Sequence, residues 1–401
     1  MLQSCTDYSA VGFEDSLGQE KFSSHTGISS NTLENMGYAI CSPLTSELDN
    51  NNNPVGGGVG YNQMINPSQA DYTVTTLAGL KTALNNAQPG DIVFLPNTVV
   101  IEITDPDDYN LPIKEGVTLA SNRGIDGCGA IIKTNLYGLI TQCLGCTSDW
   151  ISDFEFKKGR HLFQVQGNNV RITGIRFFGP STEVGDTVFM KGKKCIDSNG
   201  FNSLQIDNNE FKGWPYEAIS ISQNSSNKIL IKNNYIHHNI QSGFGYGISL
   251  NGSNAFALCK GNYFAYNRHD ITNTGRSNSG YEASYNVVGL GGTSHNFDSH
   301  GGCENSATGE QAAISGSFYH IHNNLFYDNG YANIGIRGIP EIMCLVEKNR
   351  FAKSSSQNIV RQRQENRTCR AIFNENVFVW NNVYNYNSLG TYGGHYVSRI
   401  W

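Results

Sequence analysis

The stretch ILIKNNYI, residues 229–236, decides the fold. Apolar residues alternate, an asparagine follows at 234, and an apolar residue stands two positions beyond it. The same shape returns in LQIDNNEF (204–211), ALCKGNYF (257–264), EASYNVV (282–288), YHIHNNLF (319–326), LVEKNRF (345–351) and IFNENVF (372–378). The repeating asparagines are Asn209, Asn234, Asn262, Asn286, Asn324, Asn349 and Asn376, spaced by 25, 28, 24, 38, 25 and 27 residues. VRITGIRF (170–177) has the same form with Ile175 in the asparagine's place. A period of this length fits one turn of a solenoid, three short strands joined by turns. Successive coils then stack about 4.8 Å apart, the spacing of paired strands. Asparagines in register inside a turn bond from coil to coil as a ladder.

The solenoid is bounded by different sequence at each end. YTVTTLAGLKTALNNAQPGDIVFLP (72–96) places apolar residues at 77, 80, 83, 84 and 87. This spacing predicts one amphipathic helix, then a turn at Pro-Gly, then a strand. Such a helix plugs a solenoid end that otherwise exposes an unpaired edge. The chain is thus read as an irregular N-terminal extension (1–70), a parallel β-helix (71–380) and a tail covering the far end (381–401). NNNNPVGGGVG (50–60) reads as loop. The 38-residue spacing carries an inserted loop, GGCENSATGEQAAISGS (301–317).

Composition narrows the class. Of 401 residues, 15% are charged and 44 are glycine, with 20 Tyr and 20 Phe, a profile of turn-rich β-structure. A net charge of −6 argues against a general nucleic-acid partner. No apolar run is long enough to span a bilayer. Ten cysteines permit up to five disulfides and fit an oxidising compartment. Cys143 and Cys146 have metal-knuckle spacing but no second pair. Sequons at Asn224, Asn251 and Asn366 agree with secretion, although no leader is visible at MLQSCTDYSA.

The Asn-x-apolar coils, the PGD of the cap segment and GVTLASNRG (116–124) resemble right-handed parallel β-helix proteins of the pectate-lyase-like superfamily. The resemblance covers roughly residues 72–380. YNRHDITNTGRSNSGYEASYN (266–286) with HNFDSHGG (295–302) is similar to a recurring pattern in bacterial and archaeal β-helix repeat proteins. The resemblance implies an all-β, right-handed parallel β-helix with an N-terminal capping helix. It further implies secreted polysaccharide chemistry: uronate lyases, glycoside hydrolases, epimerases or non-catalytic adhesins. One fold hosts all of these, so the residues must choose.

About ten residues after each asparagine a second strand recurs: AISIS (218–222), GISLN (247–251), HDITNT (269–274), NFDSH (296–300), NIGIRG (333–338) and NIVRQR (358–363). If Ile219, Ile248, Ile271, Phe297, Ile334 and Ile359 point inward, alternation turns their neighbours outward. Asp270, Asn296, Asp298, His300 and Arg337 then form a polar column on successive coils. His269 and His295 stack at one corner. Five of the chain's ten histidines fall between 269 and 322, which a purely structural surface does not require. On the preceding strand Glu282 and His320 face out on adjacent coils.

This column supports three readings. A lyase acting by β-elimination on a uronic-acid polymer needs a group that neutralises the carboxylate, a base and an acid. Arg337 or Asn296 serves the first, His300 or His269 the second, Tyr281 or Tyr246 the third. Trp214, Tyr246, Arg276, Glu282, His295, Asn296, His320 and Arg363 are candidates to bind substrate. No cofactor is demanded; Asp270 and Asp298 are the pair that would hold Ca²⁺. The arginine motif of pectate lyases has no counterpart here. A glycoside hydrolase would use Asp270 and Asp298 as its two carboxylates. The third reading is a non-catalytic structural or carbohydrate-binding protein.

Overall fold

The computed structural model describes residues 44–386 and 395–396, apart from 126, 135–160, 181–193, 224–227, 242, 302–313, 354–358 and 364–375. Most of the inserted loop (301–317), Cys143, Cys146, Asn224 and Asn366 lie outside the described residues. The described strands form three sheets of 11, 11 and nine strands. In each coil the chain visits the first sheet, then the second, then the third, as in Gln205–Asp207, Glu210–Lys212 and Glu217–Ser222. Each strand pairs in parallel with its counterpart one coil away. The expected parallel β-helix is the fold.

Asparagine fixes the stacking. Between the first and second sheets run Asn209, Asn234, Asn262, Asn286, Asn324, Asn349 and Asn382, all buried. Asn262 is typical: its Oδ1 accepts from the backbone N–H and the Nδ2 of Asn234, at 3.1 and 3.0 Å. Its Nδ2 donates to Ile231 O and to Asn286 Oδ1, at 2.9 and 3.1 Å. The amide is saturated, which a side chain in a dry corner requires. The residue before each ladder asparagine has a left-handed backbone, as at Asn208, Asn233, Tyr285 and Lys348. Two positions after it an apolar side chain enters the core, from Phe211 and Ile236 to Phe351 and Tyr384. The last rung is Asn382, not the expected Asn376. Asn376 precedes the strand Val377–Trp380 and donates instead to Pro340 O. The helix therefore runs past 380, through the paired strand Asn382–Val383.

The N-terminal end is covered. Helix Leu77–Asn86 starts at Thr76, whose Oγ1 accepts from Gly79 N–H, and buries Leu80, Ala83 and Leu84 against the first coil. At the far end His395–Tyr396 pairs antiparallel with Asn382–Val383. Among the described residues no helix is long and apolar enough to cross a membrane. Cys195, Cys259 and Cys344 are buried free thiols, so the ten cysteines do not make five disulfides; Cys128 is disulfide-bonded.

Residues 44–63 are more than an irregular extension. They run along the ladder corner from Arg350, which binds Glu47, to Arg123, whose Nη1 donates to Gly56 O at 2.8 Å. Asn233 donates to Pro54 O, Asn208 accepts from Gly58 N–H, and Tyr61 donates to Asp207. Gly57 has φ +72°, and a Cβ there would lie 2.3 Å from Asn233 O. The glycines read as loop are thus the seat of a strap laid across the coils, where only a bare backbone fits.

Asn262→Ala should be strongly destabilising. It strips two donors on Asn234 of their acceptor, at about 1–3 kcal/mol for each buried group left unsatisfied. A denaturation curve should show a loss of about 3 kcal/mol or more. A loss below about 1 kcal/mol would refute the ladder's structural weight.

Candidate functional site

The outer face of the third sheet is set by a bend that simple alternation does not foresee. Lys194, Glu217, Tyr246 and His269 pair along one column, and Ile196, Ile219, Ile248 and Ile271 along the next. The residues between them turn inward as well: Cys195 and Ala218 lie in the core. Two consecutive residues therefore face in, as at a bulge. The column before the bend points out beside the one that follows it: Lys194 Nζ lies 2.8 Å from both Glu217 Oε2 and Ser220 Oγ.

This bend separates the two aspartates that the sequence places together. Asp298 pairs in register with Thr272, not Asp270. Asp270 sits at the position of Cys195 and Ala218 and enters the corner between the second and third sheets. There a second amide ladder runs from Asn239 to Asn267. Asn267 and Asn296 each donate to Asp270, at 2.8 and 3.0 Å. Burial pushes its carboxyl up to about 7, against the pull of these two donors. Asn296, expected on the outer face, belongs to the same corner and accepts from Asn333.

Asp298 is the centre of the outward cluster. Its side chain is fully buried, with His300 Nε2 at 2.9 Å, Arg337 Nη2 at 3.0 Å, His269 Nε2 at 3.6 Å and His295 Nδ1 at 3.7 Å. His269 and His295 stack with ring centroids 6.2 Å apart and planes 2° apart, as their shared corner predicts. His269 Nδ1 donates to His295 O at 2.6 Å, which leaves its Nε2 toward Asp298. Burial pushes the Asp298 carboxyl up, but His269, His300 and Arg337 outweigh it and hold it well below the usual range. Burial also drives His269 well below its ordinary value, against the pull of Asp298, while the Arg337 guanidinium keeps its charge. His300 is the open imidazole, with 24% of its side chain exposed. Its Nδ1 lies 3.4 Å from Arg337 Nη1.

One coil before His269, Tyr246 extends the cluster, its ring 5.4 Å from that of His269. Burial pushes its phenol up to about 12. Arg268 covers this ring and reaches the phenol oxygen at 3.4 Å. The sequence reading missed Arg268, although it adjoins His269. It also missed Lys194, Asp197 and Glu217, which extend the same face; Lys194 stands before Ile196 as His269 stands before Ile271, and that offset was the available signal.

Several expected site residues lie elsewhere. Tyr281 is fully buried against Tyr319 and Phe297 and is part of the core. Trp214 is also core, its Nε1 donating to Phe177 O. Glu282 and His320 are on the first sheet, in register with each other. Arg276 is exposed in the turn after His269–Asn273. Arg363 pairs with Arg337 along the third sheet. A Ca²⁺ ion does not fit Asp270 and Asp298. The oxygens of one accept from amides in a corner, and those of the other face a guanidinium and an imidazole. His269, His295 and Asp298 offer ligand atoms within 4.8 Å of one another, but Arg337 already neutralises that carboxylate.

No protein-family model matches the chain, and no curated protein matches it. Solved structures similar to it include an alginate lyase from Paenibacillus sp. str. FPU-7, at 14% identity and a TM-score of 0.31 over 77% of this chain and 98% of that one. The A-module of the Azotobacter vinelandii mannuronan C-5 epimerase AlgE4 is similar at 11% identity and 0.36, over 78% and 95%. The rice weevil pectin methyl esterase is similar at 14% and 0.35, over 80% and 90%.

Asp270 gives a pH test. Its folded pKa of about 7 lies above the unfolded value, so the folded state holds the proton longer. Stability contributed by this proton is complete below about pH 4 and is lost as pH rises through about 7, by about 4 kcal/mol in all. Asp270→Asn should remove that slope from the stability–pH curve, and an unchanged slope would contradict the assignment.

Proposed function

We propose that the protein is a secreted polysaccharide lyase that cleaves a uronic-acid-containing polymer by β-elimination on the outer face of the third sheet. The observation that carries this reading is Asp298, a buried carboxylate bound to Arg337 and faced by three imidazoles, with the Tyr246 phenol alongside. Elimination from a uronate requires charge neutralisation, a base for the C5 proton and an acid for the leaving oxygen. This face offers those three kinds of group in one strip.

Arg268 carries the charge for the substrate carboxylate. It is half-buried over Tyr246 and has no carboxylate ion-paired with it among the described residues. His300 is the base, since it is the exposed imidazole and Asp298 holds its Nε2. The C5 proton passes to Nδ1, which first gives up its 3.4 Å contact with Arg337 Nη1; the electron pair forms the C4–C5 double bond, and the C4–O bond breaks. Tyr246 gives its proton to the departing oxygen. Both groups then exchange protons with water to reset. Hydrolysis is less well supported, because it needs a second carboxylate across the bond and Asp270 faces the corner.

The test is a panel of uronate and neutral polysaccharides, followed by absorbance of unsaturated ends and, in parallel, by reducing ends. Both signals should rise on a uronate polymer. His300→Ala and Tyr246→Phe should each lower kcat by about 10²–10⁴. Reducing ends without absorbance would replace elimination by hydrolysis. No product on any polymer would leave a binding or structural protein and end the proposal.

A further inference from the structure

We infer that Glu282, His320, His322 and Glu347, on the outer face of the first sheet, bind one divalent transition-metal ion of the zinc type. The inference is independent of the proposed lyase site, which lies on another sheet. The four residues come from three neighbouring strands, Gly280–Ser284, Phe318–His322 and Met343–Glu347. Glu282 stands opposite His320, and His322 opposite Glu347. His320 and His322 are two apart on one strand, so both face out, and their rings stack at 4.0 Å. The carboxylates engage them diagonally. His322 Nε2 is 3.2 Å from Glu282 Oε1, and His320 Nε2 is 3.2 Å from Glu347 Oε1.

The geometry is close to that of an assembled site. Ligand atoms of Glu282, His320 and His322 all lie within 4.8 Å of one another. In a tetrahedral site with bonds of about 2.0–2.1 Å, ligand atoms are about 3.3 Å apart. Small side-chain rotations close the difference. Two imidazoles and two carboxylates suit zinc, cobalt or nickel; calcium would ask for six or more oxygens.

Neighbours support the ligands from outside. Trp380 Nε1 donates to Glu347 Oε2 at 2.9 Å, which orients that carboxylate and leaves Oε1 toward His320. The Asn323 amide meets His322 Nδ1 at 3.2 Å and, with its O and N exchanged, would accept from that nitrogen once Nε2 takes a metal. Lys348, largely exposed, is the one lysine or arginine ion-paired with these carboxylates among the described residues. The Asp298 cluster has a guanidinium in the corresponding place, which is why the first sheet is the better metal site.

The test uses metal-free full-length protein. Calorimetric titration with Zn²⁺ should give one site per chain, and Co²⁺ should give a visible spectrum of nitrogen and oxygen ligation without thiolate bands. Zn²⁺ should raise Tm, since it binds the folded state. His322→Ala, and separately Glu282→Gln in case the first folds poorly, should weaken binding about tenfold or more and abolish the rise in Tm. Absence of Zn²⁺ binding, or binding of equal strength in both variants, would overturn the site.

Discussion

The amide ladder is the constraint on which the rest of this molecule depends. Each rung ties a side-chain oxygen to two donors of the preceding coil and a side-chain nitrogen to the next. A parallel sheet alone tolerates slippage wherever both faces are forgiving. A saturated amide in a dry corner does not, because a shift by one residue would orphan several polar groups at once. The ladder therefore fixes register between coils. Register in turn decides which side chains from distant parts of the chain stand together. Thr272 meets Asp298, and Glu282 meets His320, because Asn262, Asn286 and Asn324 are stacked.

On that frame the Asp298 cluster is costly. A fully buried carboxylate loses several kcal/mol of solvation, and a pair with arginine often does no better than apolar residues of equal size. Cooperative stability gives little reason to keep such a pair on an outer face. Charge held in a fixed place gives a better one. Asp298 stays ionised beside Arg337, keeps His300 in one tautomer and faces the ring of His269. On the proposed reading these groups are ordered in advance, so the reorganisation that water would need is avoided.

Much of this was legible in the sequence, and the failures have physical causes. The ladder was visible because Asn replaces apolar residues at a fixed place, and the capping helix because its apolar spacing is regular. Asp298, His300 and Arg337 followed from alternation after the central apolar residue, and the stacked pair His269–His295 from a shared place two positions before it. Asp270 and Asn296 did not, since the bend puts two successive residues inward and alternation has no term for it. Asn376 was chosen on period, whereas the last coil is longer and uses Asn382. Trp214 and Tyr281 went to the core because large rings fill the coil centre, whatever their polar atoms. The strap was invisible, because Gly56, Gly57 and Gly58 look like any loop until the coil corner they touch is known.

A buried tyrosine links the strands that carry the two polar faces. Tyr319 belongs to the first sheet, adjacent to His320. Its hydroxyl crosses the core to Ser299 Oγ at 2.6 Å and donates to Asn273 Oδ1 at 3.2 Å, both on third-sheet strands. Ser299 lies between Asp298 and His300. A side chain anchored under His320 thus braces the strand end that aims the open imidazole. Tyr281, one coil away, packs edge-on against Tyr319 and Phe297. Interiors this dense transmit displacement rather than absorb it. An ion gathered on the first sheet would act on the same strand, Phe318–His322, that carries the brace. The register in which that contact forms is the one the ladder fixes.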